Sequence, residues 1–231
     1  MIAENISEIK KRIWEVCKKV GRNPEEITIV AVTKTVPVDK IKEAINAGIY
    51  DIGENKVQEL LEKRNSIENV RWHFVGHLQT NKVKYIVDFV YLIHSVDSLK
   101  LALEIEKRAK KINRIIDILI EVNTSGEKTK YGVKPEEAIE LVRQISERCE
   151  FVRIKGLMTV AAYLPNPEDV RPMFRLLKQL KEEIEKFNFK NVEMKHLSMG
   201  MSNDYLIAIE EGATIVRIGT AIFGPRNQKV K

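Results

Sequence analysis

Cysteine is scarce in this 231-residue chain, which carries only Cys17 and Cys149. The two lie far apart and have no metal-like spacing, so reduced thiols on helix faces are expected, as in a cytosolic protein. A redox pair is the alternative reading. Long apolar runs are missing as well: none approaches the roughly twenty residues that a membrane span needs. The start, Met1-Ile2-Ala3-Glu4-Asn5, lacks the basic and apolar regions of a secretory signal. A cytoplasmic protein without a membrane partner is expected. No zinc-finger, RNP-like or helix-turn-helix signature is present. The net charge of +6 arises from 39 Lys and Arg against 33 Asp and Glu. These are interleaved, as in Glu104-Ile105-Glu106-Lys107-Arg108, a pattern of solvated helix faces and not of a nucleic-acid surface. Gly/Ser linkers, low-complexity tracts and composition breaks are absent too. One domain over residues 1–231 is the simplest expectation, with a core large enough to need no disulfide or metal.

What the chain does have is alternation. Ile6, Ile9, Ile13, Val16, Cys17 and Val20 recur at helical spacing. Then, after Gly21 and Asn23-Pro24, comes Ile27-Thr28-Ile29-Val30-Ala31-Val32, apolar almost throughout, as a strand of a parallel sheet buried on both faces should be. Further strands are expected at residues 50–52, 72–75, 90–93, 115–122, 152–160, 194–199 and 215–218. Helical stripes lie between them: Ala102, Ile105, Ala109 and Ile112 in one, Met173, Leu176, Leu177, Leu180, Ile184 and Phe187 in another. Asp97, Asn166 and Asn203 are candidate caps. Eight strand–helix repeats predict an α/β fold, a single (β/α)₈ TIM-type barrel with an extra N-terminal helix. A doubly wound open sheet is the alternative.

In such a barrel the chemistry sits at the C-terminal ends of the strands. Polar residues following each apolar run are therefore the ones to read. Lys34 ends the first run, Thr33-Lys34-Thr35, with no other charge from Ile27 onward. Beside low-dielectric walls its amine would lose its proton more easily and could act as a nucleophile or Schiff-base former. A lysine snorkelling to solvent from a strand end is the competing reading. Gly53-Glu54-Asn55, Gly76-His77-Leu78-Gln79, His94-Ser95-Val96-Asp97 and Asn123-Thr124-Ser125-Gly126 would bring hydrogen-bonding side chains to the same rim. His73 and His77 are four apart, but His73 falls within a strand and no third ligand is in view, so no metal site is expected.

The last two loops carry the clearest signal. Ser198-Met199-Gly200-Met201-Ser202-Asn203-Asp204 follows the seventh strand, and Gly219-Thr220-Ala221-Ile222-Phe223-Gly224 follows the eighth. Glycines, a short helix start and the hydroxyls of Ser202 and Thr220 suit a phosphate. Two ordinary turns would look similar locally. Arg217 lies inside the eighth apolar run, on the same side as Gly219. An inward arginine needs an acceptor, which a pyridine nitrogen or a buried carboxylate would supply.

At this point the chain resembles the pyridoxal 5′-phosphate homeostasis (binding) proteins. The resemblance is carried by Ala31-Val32-Thr33-Lys34-Thr35, Gly53-Glu54-Asn55, the stretch from Trp72 to Lys82, His94-Ser95-Val96-Asp97, Gly156-Leu157-Met158, Leu197 to Asp204 and Val216 to Gly224. It departs at Thr33, where the family often has serine, and at Ile52, where phenylalanine is frequent. The resemblance implies a barrel like the N-terminal domain of alanine racemase, with pyridoxal 5′-phosphate held as a Schiff base on Lys34. It further implies that Asn55 lies beside the cofactor, that Arg217 approaches the pyridine nitrogen, and that Ser202, Gly219 and Thr220 hold the phosphate.

Such a protein could be an enzyme or a binder. A cationic arginine at the ring nitrogen disfavours its protonation and weakens the electron sink. Racemisation tolerates that arginine, but in the racemases the second base comes from an additional β domain. With the chain ending at Lys231, that domain is not expected here. The expectation is a monomer that holds pyridoxal phosphate in cofactor homeostasis and delivery, with no catalytic residues and with apo-forms of pyridoxal phosphate enzymes as candidate partners. A minimal amino-acid racemase is the alternative.

Overall fold

Eight parallel strands close on themselves in sequence order, β1 pairing with both β2 and β8 in the computed structural model, which describes residues 1–225. The strands are β1 Thr28–Val32, β2 Asp51–Glu54, β3 Arg71–Phe74, β4 Leu92–Val96, β5 Ile116–Glu121, β6 Val152–Met158, β7 Val192–Ser198 and β8 Ile215–Ile218. The helices are α1 Ile2–Val20, α2 Val38–Asn46, α3 Val57–Arg64, α4 Leu99–Lys111, α5 Pro135–Arg148, α6 Arg171–Glu185, α7 Tyr205–Glu210 and α8 Thr220–Phe223. This is the expected barrel with its additional N-terminal helix. Residues 226–231, within the expected 1–231 domain, lie outside the described residues. Between β3 and β4 the outer layer is a 3₁₀ turn, Thr80–Tyr85, instead of an α-helix.

The amphipathic stripes account for the helices. Ile2, Ile6, Ile9, Ile13, Val16 and Cys17 are the buried face of α1, which lies against α2, α7 and α8. Gly21 stops that helix in the left-handed conformation, φ 69°, and Arg22 N donates to Cys17 O at 2.9 Å. Such a stop favours glycine, which has no Cβ to clash. Asn5 Nδ2 donates to Ile222 O at 2.9 Å and ties α1 to the loop after β8. Some predicted stripe ends are instead exposed, namely Val20, Ile112 and Phe187. Each lies at or beyond the last turn of its helix, where the helix has run past the core.

Strand alternation divides the core in two. Ala31, Ile52, Ile93, Ile118, Ile120, Leu157, Val216 and Ile218 belong to the large cluster shared with the helices. Val30, Leu92, Leu119, Met158 and Ile215 form a separate small cluster on the alternate face, inside the barrel. The interior also holds polar side chains, and these shift several predicted boundaries. The fourth strand runs to Val96, so His94 and Ser95 are buried within it and not at the rim. Glu54 is likewise the buried end of β2. Helix α4 is capped by Ser98, whose Oγ accepts from Leu101 N at 3.3 Å, one residue after the predicted Asp97. Asp204, not Asn203, precedes α7, and its carboxylate accepts from Met201 N at 2.6 Å. Asn166 does cap, accepting from Glu168 N at the start of a 3₁₀ turn. Cys17 and Cys149 are buried and unbonded to each other, but Cys149 follows α5 instead of lying on its face.

Candidate functional site

The first strand ends with its apolar run at Val32, two residues before Lys34, the residue expected to terminate it. Thr33 N still pairs with Gly53 O at 2.9 Å, but Val36 N then turns back to Thr33 O at 2.9 Å. Lys34 therefore sits in a tight turn at the barrel mouth. Its neighbour Thr35 has φ 63°, a left-handed conformation that a β-branched residue adopts only when its surroundings impose it. The imposing group is visible: Thr35 N donates to Glu59 Oε1 at 2.5 Å. Glu59 is held by Lys63 Nζ at 2.7 Å, which also donates to Glu54 Oε1 at 2.7 Å and to Thr33 O at 2.6 Å. Thr33 Oγ1 completes the cluster by donating to Glu54 Oε1 at 2.5 Å. Burial pushes the Glu54 carboxyl above its usual range, against the pull of Lys63 and Thr33. One buried lysine thus pins both sides of Lys34. Sequence reading passes over Lys63, because Glu59 and Lys63 have the spacing of an ordinary exposed helical ion pair.

Six residues predicted for the site come together. Lys34, Asn55, Ser202, Arg217, Gly219 and Thr220 all line one cavity of about 420 Å³ at the mouth, within the range of small-molecule sites. Val32, Val75, Ala161 and Met201 supply apolar wall. The loops that bear these residues approach closely. A Cβ on Gly76 would lie 2.2 Å from Asn55 O, so only glycine lets the loop after β3 rest on Asn55. Ser202 Oγ accepts from Ala221 N at 3.1 Å, which couples the loops after β7 and β8. Gly200, at φ 94°, has no room for a Cβ against Tyr205 Cα and Ala208 Cβ, and its carbonyl accepts from Arg217 N.

Arg217 points inward, as predicted, but its hydrogen-bond acceptors are neither of the two anticipated. Its terminal nitrogens donate to Ser198 Oγ at 2.7 Å and to Thr159 O at 2.8 Å. Burial lowers its pKa to about 10, with Glu121 and Asp204 opposing that shift, so the guanidinium stays cationic at neutral pH. His73 and His77 do not converge: His73 is buried and bonded to His94, whereas His77 stacks on Tyr131 with ring centroids 4.0 Å apart.

Glu121, the last residue of β5, carries no signal in the local sequence. Burial and the nearby Asp97 raise its pKa from 4.5 to about 7, against the pull of Arg217. The folded protein therefore keeps a proton there that the unfolded chain has already lost. Stability should fall as pH rises through that window, by at most about 3 kcal/mol at roughly 1.4 kcal/mol per pH unit. Glu121→Gln removes the titration and should flatten the decline. Urea unfolding at about pH 5 and about pH 8 measures it, and an unchanged pH slope in the variant would refute the assignment.

Comparisons with known proteins agree with this fold. A sequence profile described as "Alanine racemase, N-terminal domain" matches residues 3–227. A pyridoxal phosphate homeostasis protein of Aquifex aeolicus (strain VF5) is 50% identical over 225 residues, spanning 96% of this chain and 97% of that one. The solved structure of PipY from Synechococcus elongatus PCC7942 with PLP bound superposes with a TM-score of 0.83 at 29% identity. That match covers 97% of this chain and 100% of PipY. An alanine racemase from Corynebacterium glutamicum superposes with a TM-score of 0.71 at 13% identity, covering all of this chain and 63% of the racemase. At that identity the likeness concerns the fold alone.

Proposed function

The chain belongs to the alanine racemase N-terminal domain family, among the pyridoxal phosphate homeostasis proteins, and on that premise we propose that its mouth cavity holds pyridoxal 5′-phosphate. The observation that carries the reading is the convergence of Lys34, Asn55, Ser202, Arg217, Gly219 and Thr220 on one cavity. The residues fit the group. Asn55 Oδ1 is buried without a protein partner and offers an acceptor at the wall. When bound, pyridoxal phosphate supplies an aldehyde carbon that captures amines and a ring that can withdraw electrons from them.

This chain's residues have distinct parts in the proposal. Lys34 is the covalent anchor, its amine presented by the turn that Lys63 and Glu59 clamp. Ser202, Gly219 and Thr220 take the phosphate on the side where the two coupled loops meet. Arg217 faces the ring nitrogen and, being cationic, opposes its protonation. That keeps the electron sink weak and favours storage over turnover. We infer homeostasis and delivery of the cofactor, not catalysis, as the function.

The same reading assigns the protein to the cytoplasm, as a monomer that passes cofactor to apo-forms of pyridoxal phosphate enzymes. It foresees no nucleic-acid or membrane partner. The pairing of surface charges supports this: Arg143 bonds Glu140 and Glu147, and Arg171 bonds Glu168, Glu210 and Glu211. Among the described residues no helix is long and apolar enough to cross a membrane.

The test is isotope exchange. Incubated with L-alanine in deuterated water, the cofactor-loaded protein should incorporate no more α-deuterium than free pyridoxal phosphate does. It should still restore activity to an apoenzyme. Enzyme-like α-proton exchange would overturn the binding reading in favour of a minimal racemase.

A further inference from the structure

A chain of hydrogen bonds runs through the inside of the barrel from its floor to the cavity. At the floor, Arg71 donates to both oxygens of Asp51, at 2.7 and 2.5 Å. Asp51 Oδ1 lies 2.8 Å from His73 Nε2, and His73 Nδ1 lies 2.9 Å from His94 Nε2. His94 Nδ1 lies 2.8 Å from Ser198 Oγ, which accepts from Arg217 at 2.7 Å. Asp51, His73, His94, Ser198 and Arg217 are all buried; Arg71 is exposed.

Counting hydrogens fixes the direction of every link. Burial alone would raise the Asp51 carboxyl, but the N–H groups of His73 and Arg71 outweigh it, so Asp51 is ionised and only accepts. Burial lowers the pKa of His73, and it lowers that of His94 further, together with the charges of His73, Arg217 and His196, so both rings are neutral. A neutral imidazole has one N–H. His73 must spend it on Asp51 from Nε2, which leaves Nδ1 to accept from His94 Nε2. His94 Nδ1 is then bare and takes the only hydroxyl hydrogen of Ser198. Ser198 has two lone pairs, so it can accept from Arg217 while its one hydrogen goes to His94. The Asp51 end imposes one direction on the whole relay, the Arg217 end accommodates it, and every link has one donor and one acceptor.

We propose that Asp51, His73, His94 and Ser198 are positioning residues for Arg217. The relay fixes the Ser198 hydroxyl with a lone pair toward the guanidinium, and Thr159 O fixes the other terminal nitrogen. Arg217 is thereby held in one orientation on the cavity wall, and the constraint originates in an ion pair at the opposite end of the barrel. The functional part rests on the cofactor reading above, in which Arg217 meets the ring nitrogen. The tautomers do not depend on it.

The test begins with cofactor-free protein labelled with ¹⁵N-histidine, in which two-bond nitrogen–proton correlations reveal which ring nitrogen is protonated. Both His73 and His94 should be neutral with the proton on Nε2 at about pH 7. A proton on His94 Nδ1, or a cationic ring on either residue, overturns the relay. Asp51→Asn offers His73 an amide donor and lets the relay reverse, so His94 should move its proton to Nδ1. Titration with pyridoxal phosphate should then show about fivefold weaker binding, the worth of one hydrogen bond, although residue 51 never touches the cavity. A reversed His94 with unchanged affinity overturns the positioning role. Should that variant not fold, Ser198→Ala must weaken binding and Ser198→Thr, which keeps the hydroxyl, must retain it; equal losses overturn the role as well. Failure of the wild-type protein to take up pyridoxal phosphate would refute the cofactor reading and, with it, the positioning role, leaving the tautomers to be judged on their own spectrum.

Discussion

Lys63→Met should destabilise the protein by about 3–5 kcal/mol, the usual cost of orphaning a buried charge by removing its partner. Lys63 is the cation beside Glu54, whose side chain is wholly buried, and it bonds Glu59 and Thr33 O as well. Without it, Glu54 must take up a proton or remain as an uncompensated charge in the wall of the barrel. For a chain of this size such a loss lowers the melting temperature by roughly 10 °C. A double-mutant cycle separates charge from packing. Glu54→Gln combined with Lys63→Met should recover much of the loss, because no buried charge is then left unpaired. Thermal unfolding of the single and double variants checks both statements. A Lys63→Met protein as stable as the parent would mean that Lys63 is an ordinary solvated lysine. The consequence for the site is just as direct. Glu59 would lose its anchor, the left-handed Thr35 would lose the acceptor that imposes its conformation, and the turn presenting Lys34 would loosen.

How far the sequence foretells this arrangement depends on which face of each strand is read. On β1 and β8 the face turned to the helices is apolar, so these strands and the stripe of α1 are plain in the sequence. The face turned into the barrel is mixed. In β4 the interior position His94 is polar, and an apolar run therefore seems to stop at Ile93, although the strand continues to Val96. The end of β2 is hidden on the other face, where Glu54 lies on the side of Ile52 and meets Lys63 of α3. The six cavity residues were legible because a parallel barrel puts the ends of its strands at one mouth, whatever the inner packing. Lys63 and the relay were not. Glu59 and Lys63 look like a surface pair until tertiary contacts bury Lys63, and nothing in the local sequence joins Asp51 to Ser198 across the strands between them. Closure of the barrel makes those contacts, which separate segments of chain cannot announce.

Lys34 bears the central claim, and the claim concerns one nitrogen atom. Lys130 is the instructive competitor, since its loop follows β5 at the same end of the barrel. Its Nζ bonds Ala161 O at 2.7 Å and Glu127, and it is not among the residues lining the cavity, which Lys34 lines together with the proposed phosphate and ring contacts. The clamped turn holds the Lys34 amine at the mouth. The effect of losing it should be all or none. Purified protein loaded with pyridoxal phosphate should absorb near the visible edge, and borohydride should fix the cofactor as a stable secondary amine. Peptide mass mapping after that reduction is the decisive measurement. A single adduct is expected on the peptide carrying Lys34, with neither adduct nor absorbance at that site in Lys34→Ala. An adduct confined to another lysine, Lys130 above all, would contradict it.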